Sequence, residues 1–174
     1  MLKALSDRNS DYTVINSGMD THAVQCQGKL IATISPVDRV NTSLQLTDQQ
    51  KEYYDFMIHA YDGHAHGKTF FAANEDEAAE QIEILASLNA SEDLDADVVR
   101  TWENKEDPSH VITVLGADRD TRYVFWMNSY SPSALCSINE VDFTDVFKPV
   151  YPEADNANSQ DILSQTQANP QLDF

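Results

Sequence analysis

The chain has 174 residues, with 29 acidic against 11 basic side chains, a formal net charge of −18 and a pI near 4.3. So negative a field disfavours direct binding to DNA, RNA or anionic membranes and favours a basic partner. Its two cysteines, Cys26 and Cys136, exclude a disulfide framework and any CxxC metal or redox motif, and no apolar run approaches the ~20 residues of a membrane span.

The N-terminal stretch MLKALSDRNSDYTV lacks the apolar segment of a secretion signal, so a soluble cytoplasmic protein is expected, in the host cytoplasm if a phage or plasmid encodes it. Residues 12–15, 23–27 and 29–34 read as strands, with a turn at Gln27-Gly28 joining the last two into a hairpin. Residues 35–46, including Pro36, make an irregular connection. Thr47-Asp48-Gln49-Gln50 is a capping box. It opens a helix expected to reach Tyr61, with Tyr53, Met57 and Ala60 or Tyr61 on one stripe and Asp62-Gly63 at its end.

The best-defined stretch is 68–88. A β-like run at 69–73 with Phe70 and Phe71 leads into a helix capped by Asn74, with Glu77 three residues on and Glu75 and Asp76 at the positive end of the dipole. Ala78, Ile82, Leu85 and Leu88 form its apolar stripe, and Asp76, Glu80 and Glu83 lie opposite. Three strands at 98–103, 110–115 and 122–128 should then form a meander. A fourth at 135–141 extends it, and 143–147 is a short helix. On alternation Val124 and Trp126 share one face of the third strand while Tyr123 and Phe125 share the other. From 151 the composition turns to Asn, Gln, Ser and Asp, which lack core-forming capacity. The expected architecture is one α+β domain over 1–150, a mainly antiparallel sheet of about five to seven strands with two amphipathic helices, followed by a flexible polar tail over 151–174.

Few constellations carry chemistry. GHAHGKT at 63–69 is one residue short of a phosphate-binding loop and sits between a helix and a strand, the reverse of the required order, so it reads as a connector. His59, His64 and His66, with Asp55 and Asp62 nearby, are the candidate metal ligands, although their spacing matches no zinc signature. Cys136, with Ser133, Ser137 and His110, has no nucleophile elbow around it, and a small buried hydrophobe is the simpler role. Tyr123, Phe125, Trp126 and Trp102 lack the surrounding basic groove of a stacking platform.

Charge is the stronger signal. Residues 74–97 hold nine carboxylates, Glu75, Asp76, Glu77, Glu80, Glu83, Glu92, Asp93, Asp95 and Asp97, and no Lys or Arg. On a helix Asp76, Glu80 and Glu83 space negative charge by about 4.5 to 6 Å, similar to a nucleic-acid strand. These residues are the expected partner-binding surface. At the C-terminus, Leu172, Asp173 and Phe174 end a Gln/Asn-rich segment that resembles the tail tip of bacterial single-stranded-DNA-binding proteins. Gln171-Leu172-Asp173-Phe174 is also similar to the peptide that binds the bacterial sliding clamp, less one residue. Such a tip places two apolar knobs beside two negative groups, which suits a basic, apolar pocket.

The expected function is therefore non-catalytic. The chain reads as an acidic binding protein, a stoichiometric inhibitor or nucleic-acid mimic that occupies a basic nuclease or other nucleic-acid-handling complex, as anti-restriction, anti-CRISPR and immunity proteins do. No cofactor is called for. The alternatives are a structural or assembly subunit, for example of a virion, and a metal-dependent enzyme built on His59, His64 and His66.

Overall fold

Alternating apolar and polar residues build two antiparallel sheets, where the sequence led us to expect one. The computed structural model describes residues 5, 11–38, 46–61, 63–91, 99–130 and 132–151. Five strands, β1 (Tyr12–Gly18), β2 (Thr21–Cys26), β3 (Lys29–Pro36), β4 (Phe56–Ala60) and β5 (Thr69–Ala72), form the first sheet in simple sequence order. The second has the order β10-β6-β7-β8-β9, from β6 (Thr101–Asn104), β7 (Val111–Asp118), β8 (Tyr123–Asn128), β9 (Leu135–Asn139) and β10 (Phe147–Pro149). Three helices have both ends among the described residues, α1 (Asp48–Tyr53), α2 (Glu75–Ala90) and α3 (Glu140–Val146), with a 3-10 turn at Gly63–Ala65, and Leu5 is also helical.

The β2–β3 turn falls on Gln27-Gly28, both at positive φ (50° and 79°), as a two-residue hairpin of primed type requires. The helix expected to run from residue 47 to 61 stops at Tyr53. Its capping box forms: the Gln50 N–H donates to Thr47 Oγ1 at 3.2 Å and the Thr47 N–H to Gln50 Oε1 at 2.9 Å. Beyond it, Phe56, Ile58 and Ala60 are buried at period two, and Ile58 pairs with both Ile34 and Phe70. This segment satisfies the helical and the strand period at once. The open slot between β3 and β5 selects the strand, because only there do its backbone groups and alternate side chains find partners.

α2 forms where its cap places it. Asn74 Oδ1 accepts the Glu77 N–H at 2.9 Å, while the Glu77 carboxylate accepts from Ala73, one residue upstream of the reciprocal bond expected. Replacing Asn74 with Ala should cost about 1 kcal/mol and lower the melting temperature by ~2–4 °C; no measurable change would rule out this cap as the helix start signal.

α2 packs on β3, β4 and β5 of the first sheet and on β7 and β9 of the second. Its Ala78, Ile82, Leu85 and Leu88 join Ile34, Ile58 and Phe70 from one sheet, and Leu115, Phe125 and Leu135 from the other, in a single core. One polar side chain sits in that core. Gln81, 6% exposed, donates from Nε2 to the Phe71 carbonyl at 2.8 Å and accepts the Leu135 N–H on Oε1 at 3.2 Å. The Phe71 N–H donates to Ser133 O at 2.9 Å, so β5 and the approach to β9 are joined twice.

The other face of the second sheet carries its own core, with Trp102, Ile112, Val114, Val124, Phe143 and Phe147. α3 supplies Phe143, which meets Trp102 edge-on with ring centroids 4.9 Å apart. Both faces of β8 are thus covered, as its alternation implied: Phe125 enters the main core, while Val124 and Trp126 enter the smaller one. The tail expected from 151 onward, including Leu172, Asp173 and Phe174, lies outside the described residues apart from Tyr151.

Candidate functional site

Helical geometry aligns Asp76, Glu80, Glu83 and Ser87 along one strip of α2, opposite the buried stripe. Asp76, Glu80 and Ser87 are exposed and Glu83 is half-buried. Glu75 is exposed at the first turn, whereas Glu77 is half-buried and committed to the cap. The sequence contains no Lys or Arg between Lys68 and Arg100, so the helix carries no basic side chain of its own. Glu92, Asp93, Asp95 and Asp97 lie outside the described residues.

The fold brings one further acid towards the same end. The Asp55 N–H donates to the Ala72 carbonyl at 3.1 Å, which sets the exit of α1 beside the strand that leads into α2. Exposed Asp55 therefore lies beside that strand, with exposed Glu52 and Tyr53 preceding it on α1. Tyr54 marks the junction: burial pushes its phenol upward, and the neighbouring Tyr53 and the Glu77 carboxylate push it further. The sequence reading placed Asp55 only near the candidate metal ligands. Its position beside β5 follows from the pairing of Phe56 with Ala72, which is long-range and invisible in local periodicity.

Two titrating groups flank the strip. Burial, then Cys26, Glu83 and Asp11, raise the Tyr12 phenol to about 12, and burial, then Glu80, raises the Cys136 thiol to about 11. Both folded values lie above the ordinary ones, so folding favours the neutral forms and the unfolded chain releases these protons first. Their contribution to stability is fully present below pH 9 and is lost as pH climbs from 9 to about 12. Urea titrations at stepwise pH should show this alkaline decline, and Cys136 should resist thiol reagents at pH 8 until the protein is unfolded. Rapid labelling of the native protein at Cys136 would contradict its burial.

The three histidines do not converge. His59 on β4 bonds Thr69 Oγ1 through Nδ1 at 3.1 Å, His64 Nε2 lies 3.3 Å from Ser91 O, and His66 bonds the Tyr61 carbonyl through Nδ1. Among the described residues no group of three or more His, Cys, Asp or Glu side chains is placed to hold a metal ion. The GHAHGKT stretch runs from the 3-10 turn through Gly67, at φ 76°, directly into β5, so it is a connector between strands. His110 bonds Asn128 Oδ1 at 3.0 Å and packs against Trp126 and Phe147, while the Cys136 thiol points to the Ala134 carbonyl at 3.9 Å. A half-buried thiol held neutral in this way is a poor nucleophile. Phe125 and the two tryptophans are divided between two cores, and only Tyr123, at 43% exposed, is open.

An open cleft of about 360 Å³ lies between the β2–β3 turn and the end of α2, lined by Cys26, Lys29, Ile31, Ala86 and Asn89 among others. Burial and then Asp11 raise the Cys26 thiol above its ordinary value. The Asn89 amide is buried with no hydrogen-bond partner among the described residues, and Gly63, at φ 61°, leaves the space it fills: a Cβ there would stand 2.2 Å from Asn89 Oδ1. Among the described residues no helix is long and apolar enough to cross a membrane. Comparison with protein-family models, curated proteins and solved structures gave no match to this chain.

Proposed function

We propose that this is a non-catalytic, acidic binding protein that occupies the nucleic-acid-binding surface of a basic partner, such as a nuclease or another nucleic-acid-handling complex, and so inhibits it. One observation carries the reading: the outer strip of α2 carries Asp76, Glu80 and Glu83 at helical spacing, with Asp76 and Glu80 exposed, Glu83 half-buried and Glu75 exposed at the first turn. Carboxylates held on a rigid helix match a groove that binds phosphates, and the net charge of −18 steers encounter with a basic surface. On this reading the protein acts in the cytoplasm, where such a partner meets nucleic acid.

The test is capture from a nuclease-treated lysate on the full-length protein at low and high salt, with bound proteins identified by mass spectrometry. A stoichiometric basic, nucleic-acid-handling protein released by salt is the expected result. Recovery of no such protein would remove the reading.

A second reading, an assembly subunit, is favoured by the edge of β1, which pairs only with β2 among the described residues. Self-association that persists at moderate salt would support it, and a monomer at every concentration would exclude it.

A further inference from the structure

The four sheet edges are not equivalent. β5 is held at Phe71 by Ser133 and Gln81, β9 has its Leu135 N–H taken by Gln81, and β10 is three residues long and ends at Pro149. β1 is seven residues long, with β2 as its sole neighbour among the described residues. Edges of that length are normally blunted by charge, proline or a bulge. From Tyr12 to Met19 there is neither a charged residue nor a proline, and the one register shift lies at the hairpin end, between Asn16 and Gly18. Val14 is half-buried and Tyr12 is anchored in the core, while Thr13, Ile15 and Ser17 face outward, Ile15 at 43% exposed. At the tip of the hairpin Met19 is 99% exposed. The five residues from Tyr12 to Asn16 are thus a regular and neutral template whose outer edge is unpaired among the described residues.

Acids bracket it. Asp11 precedes the strand, Asp20 follows its turn, and Glu83 lies near enough to Tyr12 to act on its hydroxyl. We propose that β1 accepts an extended, lysine- or arginine-bearing segment of the basic partner as a sixth strand of the first sheet. Main-chain hydrogen bonds to β1 give the affinity, and the basic side chains meet Asp11, Asp20 and Glu83. A second copy of this chain fits the edge less well, because it brings another net charge of −18 to the contact. The proposal rests on the acidic-inhibitor reading and adds to it where and in what conformation the partner docks.

The test uses the full-length protein and synthetic peptides as probes: a short peptide of alternating lysine and valine, the same peptide interrupted by prolines, and its glutamate counterpart. Amide hydrogen exchange is followed by NMR across β1, and mass in solution is measured alongside. The lysine–valine peptide should slow exchange of the outward amides of β1 by about tenfold or more, with neither control doing so. Equal binding of both lysine peptides, with β1 unchanged, would overturn the strand proposal while leaving the acidic surface intact. Binding of neither lysine peptide would remove the acidic reading as well. Protection of β1 in the free protein, together with a dimeric mass, would assign the edge to a second copy and overturn the proposal.

Discussion

Reversing three charges on α2, with Asp76→Lys, Glu80→Lys and Glu83→Lys combined, should lower affinity for the proposed basic partner by roughly 100-fold or more. Each reversal replaces an attraction with a repulsion on the same helical strip, and the loss falls on association rate as well as residence. The core is untouched, because the buried stripe of Ala78, Ile82, Leu85 and Leu88 points the other way. Far-UV circular dichroism should therefore be unchanged. A neutral companion, Asp76→Asn with Glu80→Gln and Glu83→Gln, keeps side-chain size and should give an intermediate loss, separating charge from shape. Equal affinity for all three proteins would refute the role of this strip.

Replacing Gln81 with Leu destabilises the protein by roughly 2–5 kcal/mol at nearly constant volume, because it strands the Phe71 carbonyl and the Leu135 N–H in the core without partners. Urea denaturation measures the loss. Gln81→Glu sharpens the interpretation: the carboxylate still accepts from Leu135 but loses the donor to Phe71 and buries a charge beside it. This variant is expected to be the weaker protein at pH 7 and to recover near pH 5, where a protonated carboxyl donates again. A loss under ~1 kcal/mol for Gln81→Leu would mean the apolar contacts alone hold the sheets together.

The helix at the centre was legible because its signals are local and agree. Asn74 caps it, Ala78, Ile82, Leu85 and Leu88 repeat at helical spacing, and all four are buried. The segment after Tyr53 was not legible as a strand, since residues 53–61 satisfy two periods and the choice lies with β3 and β5 on either side. The division into two sheets depends on long-range contacts. Gln81 and Ser133, which join β5 to the approach to β9, carry no local mark of that role. Of the candidate site, Asp76, Glu80 and Glu83 were readable from spacing, whereas Asp55 comes beside the strand that leads into α2 only through sheet pairing. The histidines illustrate the converse: close in sequence, they bond Thr69, Ser91 and Tyr61 separately.

The most direct measurement is competition on the captured basic protein: labelled nucleic acid is bound to it, the full-length acidic chain is titrated in, and fluorescence anisotropy reports release. Stoichiometric displacement that weakens as salt rises, and that the triply reversed protein fails to produce, is the result expected of a protein occupying a phosphate-binding groove. A stable ternary complex, with the nucleic acid still bound and the acidic chain seated elsewhere, would contradict it.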